Sequence, residues 1–218
     1  ASWGYYEATR KEIPEVVVII GPNHRGFGSP VAIIEEGEWE TPLGRNQIDE
    51  DSARKIREIF PVIESDRSAH RMEHSIEVQL PFLQYAYGEN FKLIPICMMQ
   101  QDQRTSCRVG EAVAKVLKGK NSLIIASTDL THYQPKEVAE RQDKKVLEAI
   151  LSRDPERLIE TVLRYNISMC GPGPVIAMLT ATSLLGASKA RLLKYATSGD
   201  VTGDYSAVVG YGSVCVER

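Results

Sequence analysis

Long apolar runs are scarce in this 218-residue sequence. The longest strongly apolar stretch, Val16 to Ile20, stops at Gly21-Pro22, far short of the roughly 20 apolar residues that span a bilayer. No membrane partner is expected, and no signal peptide is expected at the start of the chain. Excess positive charge is missing as well, with 26 Lys plus Arg against 29 Asp plus Glu and a net of −3. No basic field follows that would drive binding to nucleic acid. Cysteine is sparse. Cys97, Cys107, Cys170 and Cys215 form no CxxC pair and no tight disulfide framework, which fits a reduced, cytoplasmic protein.

Two catalytic signatures are also absent. There is no GxSxG elbow for a serine nucleophile. The turn Gly171-Pro172-Gly173-Pro174 is no phosphate loop, because its prolines remove amide donors that such a cradle uses.

What is present is ordinary globular composition, 43% hydrophobic and 25% charged, and a single domain over residues 1–218 is expected. Tyr5 to Lys11 reads as a short helix. Glu15 to Ile20 is β-branched and continuous, which suits a strand buried on both faces. Val31 to Ile34, Leu93 to Cys97 and a buried Ser122 to Ala126 read as further strands; Pro95 suggests an edge or a strand end for the second. Asp49 opens a helix to about Phe60, and Ser75 to Tyr87 is helical with a kink or split at Pro81. Thr105 is the expected N-cap of the next helix. Helices follow from Pro135 to Leu151, from Asp154-Pro155, and from Pro174 to Leu185, and strands over Arg191–Tyr195 and Tyr205–Val216 close the chain. Strands alternating with helices predict an α/β fold with a mixed, mostly parallel sheet and helices on both faces.

Three apolar strands run directly into polar loops: Gly21-Pro22-Asn23-His24, Ser127-Thr128-Asp129-Leu130-Thr131-His132, and Thr197-Ser198-Gly199-Asp200. In open α/β sheets ligands bind outside the carboxyl ends of strands, so these loops are expected to face one cavity. Asp129 and His132, three apart, can bind a metal, orient an imidazole, or cap the next segment. His74 sits beside Glu73 at a helix start. His70, in a charged loop, reads as solvated and idle. Cys170 lies just before an apolar helix, where the helix N-terminus would favour the thiolate as nucleophile or metal ligand. Cys97 and Cys215 read as core residues.

Gly21-Pro22-Asn23-His24, Glu40-Thr41-Pro42-Leu43-Gly44, Glu73-His74-Ser75-Ile76-Glu77 with Gln79-Leu80-Pro81, Ser127-Thr128-Asp129 with His132, Cys170-Gly171, and Thr197-Ser198-Gly199-Asp200 occur in that order. Together they resemble the Memo family, relatives of the class III extradiol dioxygenases, whose prokaryotic branch is linked with the AmmeMemoRadiSam set. The resemblance implies a dioxygenase-like α/β fold and a pocket that in the dioxygenases holds Fe(II) with two histidines and a carboxylate. It implies His24 and Cys170 as metal ligands, for Fe(II) or copper. It places His132, Asp129 and His74 as candidate catalytic residues. The family's first strand ends in a Pro-His-Ala-Gly-Tyr motif whose histidine is the first ligand. No segment of this sequence matches it, so the fold is expected without that strand and the site without that ligand.

Two functional expectations follow. One is a metal-dependent redox enzyme acting on an unidentified small molecule, with His132 moving the proton. The other is a non-catalytic module that reuses the pocket for a peptide or protein partner, as eukaryotic relatives do for phosphotyrosine peptides. A metal-free hydrolase using His24 or Cys170 is a weaker third. An unpaired sheet edge would favour a homo-oligomer.

Overall fold

The computed structural model describes residues 2–218, along which strands and helices alternate. Helix α1 (Ser2–Thr9) leads into strand β1 (Val16–Pro22), then β2 (Val31–Ile33) and a hairpin of β3 (Glu38–Thr41) and β4 (Gly44–Gln47). Next come α2 (Glu50–Ile59), β5 (Ile63–Ser65), α3 (Leu80–Tyr87), β6 (Lys92–Met98), α4 (Gln103–Leu117), β7 (Ser122–Ala126) and β8 (His132–Gln134). The last part holds α5 (Lys136–Leu151), α6 (Pro155–Arg164), α7 (Pro172–Leu184), β9 (Lys189–Thr197), the short α8 (Gly199–Thr202) and β10 (Val208–Glu217).

All seven residues of β1 are buried, which requires cover on both faces of the sheet. The strand lies fourth in a sheet of order β5-β2-β6-β1-β7. Three of its four strand pairs are parallel, and only β2 with β6 is antiparallel. This is the mixed, mostly parallel α/β sheet that the strand–helix alternation predicts. A second sheet, β8-β10-β9, is antiparallel.

Four details differ from the sequence reading. β6 is the middle strand, although it carries Pro95. The carbonyl of Leu93 accepts from Asp49 N–H on the side away from β1, and backbone groups two residues on point the same way. The missing Pro95 donor therefore faces the space beyond the end of β2, whose pairing with β6 stops at Ile33↔Ile96. β7 is an edge strand, half-buried rather than fully enclosed. The N-cap of α4 is Asp102, whose side chain accepts from Thr105 N–H at 2.9 Å, so Thr105 is capped rather than capping. Pro81 falls in the first turn of α3, where its missing N–H costs no helical bond, and a turn of 3-10 helix over Glu77–Gln79 precedes it.

The core has two parts. The larger surrounds β1, β2 and β6 and includes Ile56, Leu80, Leu83, Val109 and Val113. The smaller joins α5, α6 and α7 and includes Leu130, Val146, Ile150, Leu158, Met169 and Ile176. Leu130 and Met169 adjoin Asp129 and Cys170, so the second core fixes two of the loops of interest. No helix among the described residues is long and apolar enough to cross a membrane.

Candidate functional site

At the end of β1 the chain turns at once. The Asn23 side chain accepts from the N–H groups of Arg25 and Gly26 at 3.0 and 2.9 Å, and this turn presents His24. A Cβ on Gly21 would come within 2.5 Å of Ser75 Oγ. Glycine there lets residues 73–75 lie against the strand end, where Ser75 Oγ donates to the Pro22 carbonyl at 2.8 Å.

Glu73 grips His24 twice. Its Oε2 accepts from the His24 backbone N–H at 2.5 Å, and its Oε1 stands 2.9 Å from the ring Nδ1. Oε1 also accepts from the N–H groups of His74 and Ser75, each at 2.9 Å. Burial opposes the charge on this carboxylate, but the bonds from the His24 ring, its backbone and Ser75 outweigh it and bring the pKa down to about 2. An ionised carboxylate only accepts. The proton of the contact therefore sits on His24 Nδ1, and in the neutral ring Nε2 is the nitrogen with the lone pair. His74 stacks on His24 with centroids 4.8 Å apart, its Nδ1 3.3 Å from the same Oε1. Ligand-capable atoms of His24, Glu73 and His74 all lie within 4.8 Å of one another. Glu73 orients rather than ligates in this arrangement, since Oε1 already accepts three N–H groups.

The second group lies beyond β7. Asp129 N–H donates to Cys170 Sγ at 3.1 Å, and Cys170 N–H returns a bond to the Asp129 carbonyl at 3.3 Å. Thr128 Oγ1 lies 3.7 Å from the sulfur and accepts from Gly171 N–H at 2.9 Å. The expected thiolate does not follow. Burial pushes the Cys170 thiol pKa up, only partly offset by the Asp129 N–H and the Thr128 hydroxyl. The N-terminus of α7 gives no help: Pro172 and Pro174 have no N–H, and Gly173 N–H donates to Gln101 Oε1 at 3.0 Å.

His132 is held by Ser168, whose hydroxyl accepts from the His132 backbone N–H at 2.8 Å and whose carbonyl lies 2.6 Å from Nδ1. A carbonyl only accepts, so Nδ1 is protonated and Nε2 is available. Nε2 faces Asp129 Oδ2 at 3.9 Å.

β1 and β7 are parallel neighbours with Ile20 opposite Ala126, so both loops leave the same end of the sheet. Gln79, in the 3-10 turn that follows residues 73–75, ties that segment to the β7 loop: its Nε2 donates to Ser127 Oγ at 2.9 Å, and its Oε1 accepts from Tyr5 OH. His24 with His74 thus form one group and Asp129, His132 and Cys170 a neighbouring one; Cys170 is not a member of the His24–Glu73–His74 group. The Thr197–Asp200 loop belongs to the small sheet, where Asp200 accepts from Thr197 and pairs with Lys136 at 2.6 Å.

His70 is buried at 6% exposure with neither ring nitrogen hydrogen-bonded, the reverse of the solvated residue expected. The Trp39 ring stands edge-on to it at 5.9 Å, and burial lowers its pKa to about 4. A loop rich in Arg and Asp hides this, because the cover comes from a distant hairpin.

Sequence reasoning missed two acids. Glu73 is one. Asp143 is the other: fully buried, it accepts from Thr131 N–H at 2.9 Å and Tyr195 OH at 2.8 Å, holding the loop between Asp129 and His132. A signal existed for Asp143, a carboxylate at helical spacing within the apolar face Ala139, Val146 and Ile150.

The family model described as Memo-like protein matches residues 1–215. MEMO1 family protein MK0963 of Methanopyrus kandleri is 52% identical over 207 residues, covering 94% of this chain and 73% of the relative. MEMO1 family protein MJ0403 of Methanocaldococcus jannaschii is 51% identical over 221 residues, covering 98% and 77%. Among solved structures, the uncharacterized protein JW3007 of Escherichia coli K12 superposes with a TM-score of 0.62 at 14% identity, over 97% of this chain and 91% of that one, which speaks to the fold alone. With a family match over residues 1–215 and half-identical relatives, this chain belongs to the Memo family.

Proposed function

We propose that this Memo-family chain is a metal-dependent redox protein, with His24 and Cys170 holding iron or copper beyond the carboxyl ends of β1 and β7. The observation that carries the reading is the hold on the His24 ring, whose Nδ1 is committed to Glu73 at 2.9 Å, so that Nε2 is the nitrogen left to bind a metal. Metal-bound histidines commonly have such a carboxylate on their second nitrogen. The donor chemistry agrees, since imidazole and sulfur suit copper(I), zinc or iron rather than magnesium. Asp129 N–H, aimed at Sγ, would steady the thiolate once a cation displaces its proton.

Iron or copper held there by His24 and Cys170 would supply electron transfer and Lewis acidity. The remaining tasks fall to side chains. His132 accepts and returns a proton at Nε2, and Asp129 steadies that ring when it is charged, from 3.9 Å. His74, stacked on His24, restricts rotation of the ligand ring.

Elemental analysis of protein purified without added metal tests this. Stoichiometric iron or copper, lost in His24→Ala and in Cys170→Ser, is the expected result. Protein that takes up neither Fe(II) nor copper under anaerobic conditions overturns it and favours the peptide-binding reading.

A further inference from the structure

We propose that Glu73 is a positioning residue that sets the tautomer and direction of the His24 imidazole, and through it the availability of Nε2. The inference rests on the metal-site reading for its purpose, but its geometry is independent of any metal.

Three observations support it. The two carboxylate oxygens of Glu73 engage the backbone N–H and the ring Nδ1 of one residue, His24, at 2.5 and 2.9 Å. A histidine held at both points has its ring plane and its protonated nitrogen fixed together. The Glu73 side chain is itself immobile: it is 1% exposed, and Oε1 also accepts from the N–H groups of His74 and Ser75. Finally, the His74 ring lies against the His24 ring, with planes inclined by 23°, which opposes the ring flip that would exchange Nδ1 and Nε2. Stacking alone does not fix the tautomer; a carboxylate that can only accept does so.

Glu73→Leu separates this from a purely structural role. The side chain fills similar space but has no acceptor for His24 Nδ1–H, so the ring proton is free to move to Nε2, the atom needed for a ligand. The metal-free protein, labelled with 15N in the four histidines of this sequence, reports the tautomer directly at pH 8, with His24→Asn identifying the signal. Expected in the wild type is the Nδ1–H form for His24, and in Glu73→Leu a shift toward the Nε2–H form. Anaerobic Fe(II) titration should show affinity reduced about 10- to 100-fold in the variant, with its thermal unfolding still cooperative.

An Nε2–H tautomer for His24 in the wild type overturns the assignment, as does an unchanged tautomer in a folded Glu73→Leu. Should the variant fail to fold, the wild-type tautomer decides. Should the wild type bind no Fe(II) while its tautomer follows Glu73, the positioning role stands and the metal reading falls.

Discussion

Asp129 and Cys170 are paired in both directions, the Asp129 N–H donating to sulfur at 3.1 Å and the Cys170 N–H donating to the Asp129 carbonyl at 3.3 Å. The pairing locks a half-buried thiol in place without making it acidic. Burial raises its pKa, and the donors facing it recover only part of that rise. Alkylation proceeds through the thiolate. In metal-free protein the rate of Cys170 labelling should therefore reach its midpoint above the usual thiol value of about 8.5. Fe(II) or copper should suppress labelling at every pH. A midpoint well below 8 without metal would refute the burial argument.

The loop bearing Asp129 and His132 depends on a buried acid and a glycine. Asp143 accepts from Thr131 N–H and Tyr195 OH, and a Cβ on Gly210 would lie 1.7 Å from its Oδ2. Asp143→Ala leaves two buried donors unpaired and should cost about 3 kcal/mol. Gly210→Ala displaces the same carboxylate and should cost a comparable amount. Once the carboxylate is gone the added methyl has room, so the double variant should lose little more than Asp143→Ala alone. Additive losses in urea unfolding would show that the two positions act separately.

Helix α4 allows a smaller test of local structure. Asp102 Oδ1 accepts from Thr105 N–H at 2.9 Å. Asp102→Ala should lower stability by about 1 kcal/mol. Thr105→Val, which keeps the capped N–H, should cost less. Chemical denaturation of both variants checks the order, and equal losses would contradict the assignment of the cap.

Local features of the fold were readable where the physics is local. The run Val16 to Ile20 announces a two-sided strand, and the Asp154-Pro155 pair announces a helix start that the structure reproduces with Asp154 accepting from Glu156 and Arg157 N–H. Pairing order was not readable. Pro95 marks an edge only if the strand is bonded along its full length on both sides, and β2 is too short for that. The same boundary runs through the site. His24, Asp129, His132 and Cys170 stand out because they follow apolar strands or open a helix. Glu73 and Asp143 act on residues 49 and 12 positions away, and nothing in their own neighbourhoods names those partners.

His70 provides a test at a place the sequence conceals. Its folded pKa is about 4 because burial disfavours the charged ring, while the unfolded chain titrates near 6.5. Above pH 6.5 the ring is neutral in both states and the imidazole adds no pH dependence. As the pH falls from about 6.5 to 4 the unfolded chain takes up a proton that the folded state refuses, and stability drops by about 1.4 kcal/mol per pH unit, on the order of 3 kcal/mol in all. Below that window both states are charged and the loss levels off. The acids lowered to about 2, Asp66, Glu73 and Asp200, lose their contribution mainly at lower pH. His70→Leu removes the titrating ring and two unpaired buried nitrogens while keeping an apolar neighbour for Trp39. Urea unfolding from pH 4 to 7.5 should show the variant gaining on the wild type steadily as the pH falls below 6.5. Parallel curves for the two proteins would mean that His70 protonates as readily in the fold as in the unfolded chain, and that the ring is in contact with water after all.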